Sequence, residues 1–136
     1  MSNLEKTLSI IKPDAVERNL SEEIKQEFKN KGFNILKEKK IKLEKSEAEK
    51  FYKVHQSKPF YNDLCAYLSS GPIVVMILER ESAVLENRKL MGATDPTKAE
   101  DGTLRKKYGI SIDKNSVHGS DSLDNAKIEI DFFFKN

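Results

Sequence analysis

Hydrophobic and polar residues along this chain are arranged in short segments of strand and helix length. Thr7–Ile11 alternates and is rich in β-branched residues, which predicts a strand that ends at Lys12-Pro13-Asp14. Ile73–Leu78 is a continuous apolar run preceded by the turn pair Gly71-Pro72, so it predicts a central strand. Phe33–Leu43 has the pattern of a further strand, and its lysine-rich middle must be partly solvated.

Helical spacing separates these strands. Ile24 and Phe28 form an i, i+4 stripe within Ser21–Lys31, and Gly32 follows as a C-cap. The capping-box pattern of Ser46-Glu47-Ala48-Glu49 predicts a helix to about His55. Further helices are predicted over Phe60–Leu68, Ser82–Leu90, about Thr103–Lys107 and from Ser122 to the C-terminal phenylalanines. Strands that alternate with helices indicate an α/β or α+β sandwich, with helices packed on one sheet.

Composition narrows the class of protein. The 136 residues fit one domain, and 34% charged against 38% hydrophobic residues indicate a globular chain. The net charge is only +2 and opposite charges are interleaved, so nucleic acid or membrane is not expected as the main partner. Cys65 is the single cysteine, which excludes an internal disulfide and favours the reducing cytoplasm. The N-terminus lacks a signal-peptide pattern, and the longest apolar run is too short to cross a bilayer.

The segment Asn115–Ser122 places one of only two histidines in a predicted loop of small polar residues. His118 then has little apolar bulk to pack against and several polar groups to orient it. This environment favours a nucleophile or a proton-transfer group. Glu129 lies between Ile128 and Ile130, where it either points to solvent or turns inward to fix the tautomer of His118.

The long loop Gly92–Gly102 has no periodicity, and Arg88 and Arg105 flank it while Thr94 lies within it. Two guanidinium groups and a hydroxyl around such a loop suit a polyanion such as a triphosphate. The alternative is that each arginine makes an ordinary surface ion pair. Lys12, taken alone, fits a surface lysine better than a ligand at a strand end.

Two aromatic residues are further candidates. Tyr52 and His55 share a predicted helix face, where His55 fits a structural hydrogen-bonding role. Phe60 follows Lys58-Pro59 at a helix start, so it is either a core residue or an exposed stacking platform. The chain has no zinc pattern, no Gly-rich phosphate loop and no dinucleotide fingerprint, which disfavours the usual folds for nucleotide phosphate chemistry.

Four separated motifs in this order resemble the nucleoside diphosphate kinase family over nearly the whole chain. They are Thr7–Val16, Lys58-Pro59-Phe60, Arg88–Pro96 with Gly102–Arg105, and Asn115–Ser122. The resemblance is to the short bacterial form. It implies an α+β, ferredoxin-like βαββαβ fold with a four-stranded antiparallel sheet and helices packed on it. The periodicity alone does not give the strand order.

The resemblance also implies a ping-pong reaction: a nucleoside triphosphate gives its γ-phosphate to His118, which passes it to a nucleoside diphosphate. The residues implied in catalysis are His118, Lys12, Tyr52, Glu129 and Ser120. Those implied in nucleotide binding are Lys12, Phe60, Arg88, Thr94, Arg105, Ile112 and Asn115. Magnesium would bridge the donor phosphates, with Asp121 near it through water. Base recognition would be broad, because stacking makes no hydrogen bond to a base edge.

Four positions depart from the family pattern. Asn19 and Glu22 stand in Asn19-Leu20-Ser21-Glu22, where members usually have Gly-Leu-Val-Gly, and Asn19 can still adopt a left-handed turn. Asp95 replaces a common Asn, and Asp101 a Pro or small residue. These aspartates border the phosphate loop, so we expect a modest loss of nucleotide affinity.

The family further implies a homo-oligomer, a tetramer or hexamer built from dimers, that maintains nucleoside triphosphate pools. Two other classes of function compete with an active kinase: a nucleotide-binding regulator with little turnover, and a nucleic-acid-binding protein. A regulator of this fold is expected to have lost the histidine or the arginines, and His118, Arg88 and Arg105 are all present.

Overall fold

The computed structural model describes residues 4–112 and 114–134, except for the side chain of Val54. Four strands form one sheet: β1 Leu4–Ile11, β2 Asn34–Ile41, β3 Ile73–Glu81 and β4 Val117–Gly119. Their order is β2-β3-β1-β4, and every neighbouring pair is antiparallel. The implied ferredoxin-like α+β sandwich is therefore confirmed, as is the central place of the apolar strand β3.

Within the described residues, seven α-helices connect and flank these strands. They are α1 Pro13–Glu17, α2 Ser21–Asn30, α3 Lys45–Phe51, α4 Tyr61–Leu68, α5 Ala83–Met91, α6 Leu104–Tyr108 and α7 Leu123–Phe134. Two 3₁₀ turns cover Lys53–His55 and Pro96–Lys98. The second turn lies inside the loop that was predicted to have no periodic structure. Among the described residues, no helix has the length and apolar character needed to span a bilayer.

The start of α3 differs from the sequence prediction. The capping box joins Glu44 to Glu47, with the Glu44 backbone N–H donating to Glu47 Oε1 at 3.0 Å, so the cap is not Ser46. The spacing of three residues is the same, and a glutamate at the cap places the acidic side chain against the unpaired N–H groups of the first turn. The helix also ends at Phe51, and His55 lies in the separate 3₁₀ turn.

The core lies on both faces of the sheet. On one face, Leu8 and Ile10 of β1 pack with residues of α3, α4 and α7, including the buried Cys65. On the other, Ile11 packs with α2 and α5 and with Val117 of β4. Strand β2 is at the sheet edge, and its lysines are exposed, as the solvated middle of that strand predicted. This arrangement places the C-terminal end of β1 beside β4, where the candidate residues converge.

Candidate active site

His118 lies in the middle of strand β4, which corrects the prediction of a loop. β4 pairs with Ser9–Ile11 of β1, so His118 stands opposite Ile10. Val117 is fully buried. Its burial and the backbone pairing keep this segment extended although small polar residues surround it. A strand fixes the backbone of His118 more firmly than a loop would.

The imidazole of His118 also has an apolar neighbour that the sequence analysis missed. The ring of Phe51, the last residue of α3, contacts it edge-on, with centroids 5.3 Å apart and planes at 74°. Phe51 in turn packs against Phe133 of α7, at 5.2 Å between centroids. The expectation that His118 has little apolar bulk beside it was therefore wrong. The only sequence signal for Phe51 is its position directly before Tyr52.

Two polar residues, Glu129 and Ser120, form a hydrogen-bonded group with His118. His118 Nε2 lies 3.1 Å from Glu129 Oε1, and Ser120 Oγ donates to the same oxygen at 2.8 Å. Of the two orientations left open for Glu129, the structure has the inward one, with only 18% of its side chain exposed. When the imidazole is neutral, the carboxylate accepts a hydrogen bond from Nε2–H. Nδ1 then carries the lone pair.

Tyr52 and Arg105 are largely buried near this group. Burial, followed by the charge of Glu129, raises the pKa of the Tyr52 hydroxyl well above its usual range, so it stays protonated at neutral pH. Burial and then the charge of Arg88 lower the pKa of Arg105 to about 10, which still leaves a cation at neutral pH. The Arg105 guanidinium donates to the carbonyls of Gly92 and Val117, both at 3.0 Å.

Arg88 is exposed at the surface of α5, and its Nη1 lies 3.5 Å from the carbonyl oxygen of Asp121. Within the described parts of the chain, neither Arg88 nor Arg105 forms a salt bridge with a carboxylate. The structure does not support the alternative that they are ordinary surface ion pairs. The two guanidinium groups influence each other electrostatically.

Lys12 is buried, so its interpretation as a surface lysine was wrong. Its Nζ donates to Asn115 Oδ1 at 2.9 Å. The amide of Asn115 donates to the carbonyls of Thr94 and Ile112, at 3.0 and 3.1 Å. Asn115 thus joins the end of β1 to the loop of Thr94 and to the segment before β4. Four of the predicted nucleotide-binding residues are brought together in this way.

Phe60 is 46% exposed, which fits the stacking platform and not the core residue. Its ring lies 6.1 Å from that of His55 and has Lys58 Nζ 5.8 Å from its centroid. His55 in turn is 6.2 Å from Tyr52 between ring centroids, so these rings link Phe60 to the buried Tyr52. His55 Nδ1 is buried and has no hydrogen-bond partner among the described residues, so the structural hydrogen bond predicted for His55 is not found at this atom.

The structure also describes three further positions named in the sequence analysis: Asp121, Asn19 and Asp95. Asp121 is exposed, and its Oδ1 accepts from the Asn125 amide at 2.6 Å. Within residues 4–112 and 114–134, no group of three or more His, Cys, Asp or Glu side chains is placed to hold a metal ion. Asn19 has φ +62°, the left-handed turn expected of it. Asp95 accepts from the backbone and hydroxyl of Thr97 at 3.0 and 2.8 Å, and so caps the turn Pro96–Lys98.

Glycine at position 119 is required by packing beside the histidine. A Cβ atom there would lie 2.3 Å from Nδ2 of Asn87 and 2.8 Å from Cε of Met91. Both residues belong to α5, and Asn87 is fully buried. The helix that carries Arg88 therefore packs directly against the strand that carries His118.

Comparison with known proteins supports the resemblance. A family profile described as nucleoside diphosphate kinase matches residues 5–136. The nucleoside diphosphate kinase of Campylobacter jejuni is 57% identical over 132 residues, covering 97% of this chain and 96% of the relative. That of Geobacter sulfurreducens is 55% identical over 131 residues, covering 96% of both chains.

Solved structures agree with the sequence comparisons. The nucleoside diphosphate kinase of Aquifex aeolicus superposes with a TM-score of 0.95 at 37% identity, covering 98% of this chain and 96% of that one. That of Encephalitozoon cuniculi gives a TM-score of 0.94 at 36% identity, covering 97% and 90%. The chain therefore belongs to the nucleoside diphosphate kinase family, enzymes that transfer phosphate between nucleotides.

Proposed function

We propose that this enzyme moves the γ-phosphate of a nucleoside triphosphate to a nucleoside diphosphate through a phosphohistidine on His118. The contact that supports this most directly is His118 Nε2 to Glu129 Oε1, because it selects one ring nitrogen as the nucleophile. When Nε2 carries the proton and donates a hydrogen bond to Glu129, Nδ1 holds the lone pair that attacks phosphorus. The N–P bond forms as the bond to the leaving diphosphate oxygen breaks, and the second half-reaction reverses these events with the acceptor.

The cations supply the electrostatic part of this reaction. Phosphoryl transfer depends on positioning and charge stabilisation more than on covalent assistance by the protein. Lys12 and Tyr52 would contact the transferring phosphoryl group, while Arg88, Arg105 and Thr94 would hold the other phosphates. Burial disfavours the charged form of Arg105, so a bound polyanion would stabilise it.

Magnesium is expected to lie on the donor phosphates and to neutralise part of their charge. Asp121 is the residue that we propose to reach it, through water. Its position fits, since its backbone is beside Arg88 and its carboxylate is exposed. One carboxylate oxygen accepts from Asn125, which fixes the orientation of the side chain.

The nucleoside would lie between exposed apolar groups. Phe60 and Ile112 are 46% and 56% exposed, and they would enclose the base by stacking and apolar contact. Asn115, together with Lys12, would contact the ribose hydroxyl. Because this arrangement offers the base a surface and no hydrogen-bonding edge, we propose broad base specificity and a role in maintaining NTP and dNTP pools. We also propose a cytoplasmic homo-oligomer, a tetramer or hexamer built from dimers.

Initial-rate kinetics test the ping-pong proposal. Transfer is measured over a matrix of donor triphosphate and acceptor diphosphate concentrations. A phosphoenzyme intermediate predicts parallel lines in double-reciprocal plots, because the first product leaves before the acceptor binds. Lines that intersect would indicate a ternary complex with direct transfer, and would overturn the role proposed for His118.

A further inference from the structure

We propose that the buried carboxylate of Asp14 is a positioning group for Lys12 and Asn115. Asp14 lies at the start of α1, two residues after Lys12, and the sequence analysis gave it no role beyond ending the strand. The inference rests on the proposed function, since Lys12 and Asn115 act here as nucleotide-binding residues.

Asp14 is the centre of a network of four residues from three parts of the chain. Only 2% of its side chain is exposed. Oδ1 accepts from the hydroxyl of Tyr67 on α4, whose oxygen accepts in return from the Asp14 backbone N–H at 2.9 Å. Oδ2 accepts from Ser116 Oγ at 2.8 Å and from Arg18 Nη2 at 3.1 Å. The buried charge is therefore paired and multiply hydrogen-bonded, as a buried carboxylate must be.

Ser116 connects this network to the strand of the histidine. It is fully buried and has φ +74°, a left-handed conformation that is unfavourable for a residue with a Cβ atom. Three hydrogen bonds hold it there. Besides donating to Asp14, its hydroxyl accepts from Arg18 Nη2 at 3.2 Å, and its carbonyl accepts from the Lys12 backbone at 2.8 Å.

The same turn fixes Asn115, the residue before Ser116. Asn115 accepts a hydrogen bond from Lys12 Nζ at 2.9 Å. Asn115 directly precedes Ser116, and Lys12 is two residues before Asp14, so both members of this pair are close in the chain to a residue of the network. The network thus holds Lys12 and Asn115 at a fixed separation. Among the described residues, Asp14 forms no hydrogen bond or ion pair with His118, whose imidazole is held by Glu129 and Phe51. Loss of the network should therefore act mainly on nucleotide binding, and on the chemical step only as far as Lys12 is displaced from the phosphoryl group.

Tyr67→Phe tests this inference because it removes one hydroxyl and keeps the ring. We expect the KM of both nucleotides to rise about three- to tenfold, because Tyr67 acts on the nucleotide only through Asp14 and only part of the free energy of the lost hydrogen bond reaches Lys12 and Asn115. We expect kcat to fall by a smaller factor than KM rises, because Lys12 is also proposed to contact the transferring phosphoryl group. Tyr61→Phe is the matched control: it removes another α4 hydroxyl, which donates to the Glu49 carbonyl, and it should leave KM unchanged.

Asp14→Asn provides a second route, since it keeps the side-chain volume while removing the charge. If Asp14 and Tyr67 act as one unit, the double variant should raise KM by clearly less than the product of the single effects. The inference would be overturned if KM were unchanged in both single variants, or if the double variant raised KM by the product of the single effects. A fall in kcat at constant KM would also overturn it. A wild-type protein without transfer activity would instead overturn the proposed function, so the two failures are distinguishable.

Discussion

The Nε2 atom of His118 and the Oε1 atom of Glu129 are 3.1 Å apart, and Ser120 donates to the same carboxylate oxygen. Glu129 therefore presents an acceptor that is itself held in place. A neutral imidazole in this position donates from Nε2 and keeps its lone pair on Nδ1. The relationship gives Glu129 a direct influence on which nitrogen is nucleophilic.

Glu129→Gln tests this influence. The glutamine keeps the shape of the side chain but removes the charge that favours the Nε2–H tautomer and stabilises positive charge on the ring. We expect kcat to fall roughly 10- to 100-fold, since a charge-assisted hydrogen bond contributes about 1.5–3 kcal/mol. The measurement is the single-turnover rate of His118 phosphorylation by ATP.

Asp131→Asn is the control for that variant, because it neutralises an exposed carboxylate on the same helix. Its phosphorylation rate should match that of the wild type. Equal rates in Glu129→Gln and the wild type would show that Glu129 does not control the nucleophile.

Phe60→Ala should weaken binding of every nucleotide to a similar extent. A base stacked on an aromatic ring gains about 1–3 kcal/mol, which places the expected rise in KM on the order of tenfold. KM for ATP, GTP, CTP and UTP is compared between the variant and the wild type. Phe60→Tyr retains a stacking ring and should stay near the wild type. A selective loss for one base would mean that Phe60 does more than stack.

Gly92→Ala should destabilise the protein and displace Arg105. Gly92 has φ +83°, and an added Cβ atom would lie 2.6 Å from Oγ1 and 2.7 Å from Cβ of Thr103. Backbone strain and overpacking together suggest a loss of about 2–4 kcal/mol in the free energy of unfolding. Its carbonyl also accepts from Arg105, so KM for nucleotides should rise as well.

Gly102→Ala separates backbone strain from overpacking as causes of the lost stability. Gly102 has a similar φ of +87°, but a Cβ atom there would meet nothing within 4 Å. Urea unfolding of this variant should show only the strain, roughly 1 kcal/mol. If Gly92→Ala and Gly102→Ala lower the free energy of unfolding equally, the contact with Thr103 does not contribute to the loss of stability.

Sequence periodicity predicted β1, β2, β3 and most of the described helices, because each depends on residues close together in the chain. Ile24 and Phe28 marked α2, and the apolar run from Ile73 marked a strand that is buried on both faces. The short β4 was missed because nothing within Val117–Gly119 indicates a strand. Its extended form depends on pairing with β1, more than one hundred residues away.

In the candidate site, too, local patterns were predicted from sequence and features that depend on distant contacts were missed. The motif around His118 and the arginines of the loop were visible as local patterns, and the resemblance to a family supplied their roles. Phe51 and Tyr67 were missed because their importance arises from contacts with His118 and Asp14, across 67 and 53 positions of the chain. In the sequence, Asp14 was recognised only as part of the segment that ends the first strand. Its burial depends on helices that the periodicity could not place in space.

The measurement that tests the central claim most directly is labelling with γ-labelled ATP in the absence of an acceptor. The protein is isolated and treated with acid and with alkali, and a second portion is chased with a mixture of diphosphates. We predict an acid-labile, alkali-stable label that the diphosphate mixture removes and that folded His118→Ala does not acquire. A folded, ATP-binding wild-type protein without label, or equal label on His118→Ala, would contradict the phosphohistidine mechanism.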